Sequence, residues 1–180
     1  MPPHIYEDEM LKSFVWALPA ALLVLLTDTG ARLAEITGLE ARDVDQDKAI
    51  PHLRPNDHRG LKTKTSTRSI PLSPRATECL RQQQVGLSDT NPIFPAYAHP
   101  RGSDNASAML MKRLRTQITD KKVTIHSLRH RMKDKLRNTG CPEAISLAIL
   151  GHSTNTVAAN YGSGYALEVM REALMKVWEE

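Results

Sequence analysis

A strong charge of one sign, a cysteine framework and a long apolar run are all missing from this sequence, and each absence removes a class of protein. Lys and Arg number 24 against 20 Asp and Glu in 180 residues, a net +4. So mild a basic balance permits a nucleic-acid partner without demanding one. The two cysteines, Cys79 and Cys141, lie too far apart for metal-ligand spacing, so reduced thiols in a cytoplasmic protein are expected. The longest apolar stretch, Phe14 to Leu26, is interrupted by Pro19. A membrane span needs roughly 20 apolar residues, so a buried helix pair is expected there. Tyr6-Glu-Asp-Glu9 stands where a secretory leader would be basic. Glycine-rich phosphate loops, metal-ligand clusters and internal repeats are also missing, and no cofactor or metal is expected.

What is present suits a single folded unit. A hydrophobic fraction of 41% is enough for a core, and 24% charged residues argue against disorder. Residues 6–28 read as helix, broken or restarted at Pro19, and Thr29-Gly30 ends it. A short helix from Arg32 to Gly38 follows. Between Asp43 and Leu72 the punctuation by Pro51, Pro55, Asn56-Asp57 and Arg59-Gly60 predicts two or three short strands, the last being Arg68 to Leu72. Ser73-Pro74 reads as a helix cap with proline in the first turn, opening a helix to about Gln84. Residues 87–103 read as loop, and the remainder as helix interrupted at Gly140-Cys-Pro142, Gly151 and Gly162–Gly164. The expected fold class is α+β, mostly helical with a small antiparallel sheet.

Four local patterns carry chemistry. In Thr29-Gly-Ala-Arg32-Leu-Ala-Glu35-Ile-Thr-Gly-Leu39, Arg32 and Glu35 share a helical face and can pair. In Leu61-Lys-Thr-Lys64-Thr-Ser-Thr-Arg68-Ser-Ile-Pro-Leu72, cations alternate with hydroxyls before a strand, which suits a hairpin tip meeting phosphates. In His126-Ser-Leu-Arg129-His130, positions i and i+3 let an imidazole and a guanidinium converge on one anion. In Leu150-Gly-His152-Ser153, the glycine closes one helix and the serine can cap another; Tyr161-Gly-Ser-Gly follows nine residues later. Each pattern alone has an ordinary reading: a surface ion pair, a solvated turn, a structural histidine, a tyrosine packed at a helix end.

Taken in order, Arg, Lys, His-x-x-Arg, His and Tyr resemble the signature of the tyrosine recombinases, or phage integrase family, in their catalytic domain. The resemblance spans essentially the whole chain. It implies that 1–180 is that domain, with the core-binding and arm-binding domains that precede it in relatives absent, and hence a truncated or naturally partial chain. It implies a site-specific DNA recombinase that cleaves and rejoins strands through a 3′-phosphotyrosyl intermediate, with chemistry like that of type IB topoisomerases. The hairpin and the Tyr161-Gly-Ser-Gly ending look more like integrases of phages or mobile elements than like chromosomal resolvases. A resolvase or invertase, or a DNA-binding regulator that no longer cuts, is the alternative.

By the same resemblance Tyr161 is the nucleophile, and Arg32 and Arg129 bind the non-bridging oxygens of the scissile phosphate. His126 binds the phosphate or moves a proton, and His152 donates a hydrogen bond to it. Lys64 protonates the departing 5′-oxygen, with Lys62 as the alternative. Glu35 supports the first arginine, and His130 has a more structural role. The partner implied is double-stranded DNA at an attachment core site, bound by a tetramer of the full-length protein with DNA-bending accessory proteins. The isolated domain is expected to be a monomer, located in the cytoplasm with the nucleoid. The stretch from Tyr165 to Glu180 reads as an amphipathic helix with Leu167, Met170, Ala173, Leu174 and Val177 on one side. It either packs on its own domain or docks on a neighbour.

Overall fold

The computed structural model describes residues 18–60, 66–152 and 164–179. Lys62, Lys64 and Tyr161 lie outside the described residues, as does Ser153 and the part of the first helix before Leu18. Helix α1 (Leu18–Thr29) runs through the centre, with Leu22 and Leu25 fully buried. An apolar helix buried nearly all round needs neighbours on several sides, and α1 has them: it packs on α2 (Leu33–Thr37), α3 (Pro74–Gln83) and α5 (Ser127–Asn138). Truncating such a leucine to alanine costs about 2–5 kcal/mol. Gly30 ends α1 with φ +62°, and a Cβ there would lie 2.7 Å from the Met132 side chain and 2.8 Å from that of Leu150. Glycine is therefore required for conformation and for space. That close passage brings Arg32 alongside α5 and α6 (Glu143–Leu150).

The sheet has three antiparallel strands in the order β1 (Val44–Asp45), β2 (Ile50–Leu53), β3 (Arg68–Ser69). Val44 pairs with Pro51 and Leu53 with Arg68. The expected last strand to Leu72 is cut short because Pro71 has no N–H to continue the ladder. Flanking hydrogen bonds persist, from Ile70 N–H to the Pro51 carbonyl and from Leu72 N–H to the Ala49 carbonyl. Helix α3 starts as its sequence indicates: the Ser73 hydroxyl accepts from Ala76 N–H at 3.1 Å, with Pro74 in the first turn.

Helix α4 (Gly102–Gln117) packs on α2, and α5, α6 and α7 (Leu167–Trp178) pack on one another. One expectation fails between α4 and α5. Residues 118–126 are not helical, although they contain neither glycine nor proline. Here Arg115 replaces the missing helical bonds, donating to the carbonyls of Asp120 at 2.9 Å and Val123 at 2.7 Å. The β-branched residues Ile118, Thr119, Val123, Thr124 and Ile125 supply the extended bias. Of the two alternatives, helix α7 takes the first and packs on its own domain, burying Met170, Ala173, Leu174 and Val177 while Leu167 is partly buried. The Trp178 indole N–H donates to the Asp28 carbonyl at 3.0 Å, pinning α7 to α1.

Candidate functional site

Arg32 sits at the N-terminal boundary of α2 and not within it, with extended backbone. This lets Glu35 reach back: its Oε2 accepts from the Arg32 backbone N–H at 2.7 Å and its Oε1 from the Arg32 guanidinium at 2.8 Å. The anticipated pair thus forms, but as part of a helix cap. Glu35 is 3% exposed, and a second arginine meets it. Arg68 Nη1 and Nη2 each stand 3.0 Å from one of its oxygens. Burial pushes the Glu35 carboxyl up, but Arg68, and then Arg32, more than offset this and hold it below the usual carboxylate range.

Arg129 is buried, the reverse of an arginine on a surface face. Its Nη1 donates to the Gly30 carbonyl at 2.7 Å and its Nη2 to the Leu150 carbonyl. The first bond ties α5 to the turn leading into Arg32, and the second ties it to the turn leading into His152. Burial and the neighbouring Arg32 cation push the Arg129 guanidinium down to about 10, with Glu35 opposing and Arg68 adding to the shift.

His126 lies on the exposed side just before α5, and its ring meets that of His130 edge-on at 5.0 Å between centroids. Burial, then the His130, Arg129 and Arg32 charges, depress its pKa. His152 follows Gly151, which leaves α6 at φ +63°; burial, then Arg129, Arg32, Lys133 and Arg68, depress its pKa in turn. Arg32 acts electrostatically on Arg129, His126 and His152 alike. The structure therefore brings Arg32, Glu35, His126, Arg129, His130 and His152 into one electropositive cluster, drawn from three chain segments. It says nothing of Lys62, Lys64 or Tyr161.

Arg68 is the residue that sequence reasoning passed over, counting it as one cation of a hairpin. Its burial is not visible in a motif of alternating Lys, Thr and Arg; the signal lay in Ile70 and Leu72, which place that segment in a core-facing strand. Among the described residues no group of three or more His, Cys, Asp or Glu side chains is arranged to hold a metal ion. No described helix is long and apolar enough to cross a membrane.

Residues 14–166 match the family model described as the Phage integrase family, and the chain belongs to that family. It is 27% identical over 165 residues to tyrosine recombinase XerD of Corynebacterium glutamicum, covering 88% of this chain and 50% of that protein. The chain thus spans about half the length of that relative. Among solved structures it resembles the integrase from mycobacterium phage Brujita, with a TM-score of 0.67 and 18% identity over 96% of this chain and 56% of that one. It also resembles the Tn1549 transposon integrase solved in complex with transposon right end DNA, with a TM-score of 0.65 and 20% identity over 98% of this chain and 65% of that one. The fold is that of integrase catalytic domains, α+β with a small antiparallel sheet.

Proposed function

We propose that this chain is the catalytic part of a site-specific DNA recombinase that integrates or excises a phage or other mobile element through a 3′-phosphotyrosyl intermediate. The observation that carries this reading is the charge imbalance around Glu35. Arg32, Arg68 and Arg129 converge where the described residues supply one buried carboxylate. Such an arrangement is stabilised by an anion, and a DNA phosphodiester is the anion this family handles.

In the chemistry proposed, the Tyr161 oxygen forms a bond to phosphorus as the P–O5′ bond breaks. Negative charge builds on the phosphorane, and Arg32, Arg129 and His152 stabilise it more strongly than the ground state. A phenol of pKa about 10 is a weak nucleophile at neutral pH. His126, whose depressed pKa keeps it neutral there, is able to receive its proton. Lys64, or Lys62, protonates the departing 5′-oxygen. The tyrosyl ester conserves the bond energy, so the 5′-hydroxyl rejoins by the reverse reaction without ATP. Glu35 holds Arg32, and His130 supports His126. The partner is duplex DNA, assembled as a tetramer by the complete protein with any DNA-bending accessory proteins.

The similarity to XerD favours a second reading, in which the same chemistry resolves replicons. Both readings predict covalent attachment to DNA. The chain is incubated with a pool of nicked duplexes of randomised core, and SDS-resistant adducts are recovered. Adducts that disappear in Tyr161→Phe support a recombinase with that nucleophile; adducts that persist assign the attack to another residue, and none from the complete protein favours the binding-only alternative. Mapping adducts on genomic DNA then separates element ends from a single chromosomal resolution site.

A further inference from the structure

We propose that Arg68 is a positioning residue of this site, locking the Arg32 turn, the end of the hairpin and the Leu150-Gly-His152 turn into one rigid frame. The proposal builds on the recombinase reading and adds a residue to it. The frame is anchored at the C-terminus of α6. The last four carbonyls of a helix lack intrahelical partners, and here all four are satisfied. His152 N–H donates to the Leu147 carbonyl at 3.0 Å and Gly151 N–H to that of Ala148 at 3.2 Å, a glycine-dependent helix stop. The other two are taken by arginines: Arg68 Nε meets the Ile149 carbonyl at 2.8 Å, and Arg129 Nη2 meets that of Leu150. A helix C-terminus carries partial negative charge, so two cations are favourable there. The turn that presents His152 is therefore built on arginines from two other segments.

Arg68 connects this turn to the rest of the site. Besides the Ile149 carbonyl it holds both oxygens of Glu35, and its Nη1 also meets the Ser66 carbonyl at 3.0 Å. Its planar fork fits the carboxylate in a two-pronged pair while Nε points elsewhere, a division that a lysine ammonium does not reproduce. A Cβ on Gly151 would lie 2.5 Å from Arg68 Nη1, so Gly151 is required by this contact as well as by its positive φ. The Arg68 side chain is 8% exposed, and its guanidinium bonds to the Ile149 and Ser66 carbonyls and to the Glu35 carboxylate. It acts through Glu35 and the Ile149 carbonyl, and through them on Arg32 and His152.

The test compares wild type, Arg68→Met, Arg68→Lys and Leu136→Ala, the last a core truncation that lowers stability without touching the cluster. Adduct formation on the nicked duplex pool is measured per folded molecule, alongside duplex affinity. In the DNA-free chain, the Glu35 carboxyl and the His152 imidazole are titrated by NMR. Arg68→Met is expected to slow adduct formation roughly 10–100-fold with duplex affinity preserved. It should also raise the midpoints of Glu35 and His152. Arg68→Lys should restore the Glu35 midpoint but only part of the rate, and Leu136→Ala should change neither. The proposal is overturned if Arg68→Met keeps the wild-type rate, or if its loss only follows its unfolded fraction as in Leu136→Ala. It is equally overturned if duplex affinity falls as far as the rate, which would make Arg68 a direct phosphate ligand. If the complete protein forms no adduct, the recombinase reading fails. The frame is then judged by the titrations, and unmoved midpoints in Arg68→Met contradict it.

Discussion

Of the buried carboxylates that hold arginine in this domain, Asp28 and Glu35 are balanced differently. Asp28 is 2% exposed; its oxygens take Arg75 Nε at 2.8 Å, Arg75 Nη2 and the Ser73 hydroxyl. One acid meets one guanidinium, and Arg75 remains about half exposed to water. The knot joins α1 to the start of α3 and, through Trp178, to α7. At Glu35 one acid faces Arg68 and Arg32 directly, with Arg129 close enough to feel its charge. The first joins a buried acid to an arginine that reaches water. The second carries excess positive charge in a partly dry place, a cost that folding alone does not explain. Asp43 also holds two arginines, Arg54 and Arg59, so what sets the Glu35 network apart is its third cation, Arg129, whose guanidinium meets the Gly30 and Leu150 carbonyls.

The comparison breaks most sharply at Arg129. Replacing it with methionine removes a cation of the cluster and leaves the Gly30 and Leu150 carbonyls without these donors. A loss of roughly 10²–10³-fold in adduct formation is expected, measured by single-turnover kinetics on the nicked duplex. A comparable substitution of Arg75 should leave the rate per folded molecule unchanged.

Next come the two acids. Glu35→Gln strands Arg68 in a buried position and is expected to cost on the order of 3–5 kcal/mol, with loss of adduct formation. Asp28→Asn weakens the hold on an arginine that is already about half exposed, so about 1–3 kcal/mol is expected, with chemistry per folded molecule intact. Urea denaturation paired with the adduct assay distinguishes them. If both variants lose chemistry equally, the contrast fails.

A smaller effect concerns pH. His126 and His152 have folded pKa values held below 6.5, chiefly by burial and then by neighbouring cations. The unfolded chain therefore binds more protons just below pH 6.5, and their contribution to stability, full above that value, is lost as pH falls through the window beneath it. A bound phosphodiester reverses the local field and raises both pKa values, so binding takes up protons. Duplex affinity at constant salt should then rise as pH falls from 7.5 to 6, a one-unit rise in a pKa being worth about tenfold. Fluorescence anisotropy measures this, and His126→Gln with His152→Gln should flatten the dependence. The smallest effect is that of Trp178→Phe. It removes one hydrogen bond to Asp28, about 0.5–1.5 kcal/mol, visible in Tm and absent from the chemistry.

Legibility of the sequence followed the range of the forces involved. Helix stops and starts set by one residue's own conformation, at Gly30, Ser73-Pro74 and Gly151, were readable because their causes are local. The Arg32–Glu35 pair was readable for the same reason, being three residues apart. The break at 118–126 was not, since Arg115 makes it by collecting carbonyls across the turn instead of by glycine or proline. Nor was the burial of Arg129 or the role of Arg68. Both depend on carbonyls of α6 that arrive from 21 and 81 positions away, which no spacing rule contains. The four boxes singled out the candidate residues, and tertiary hydrogen bonding decides how the described ones among them are held.

The central claim is that the imbalance around Glu35 is where DNA phosphate binds. It is tested most directly by NMR on the chain with labelled arginine and histidine side chains, titrated with a short duplex from the selected pool. The account predicts that the Arg32, Arg129, His126 and His152 resonances shift together and saturably, while those of Arg75 stay in place. Equal shifts at Arg75, or a silent cluster in a protein that binds the duplex, would contradict it.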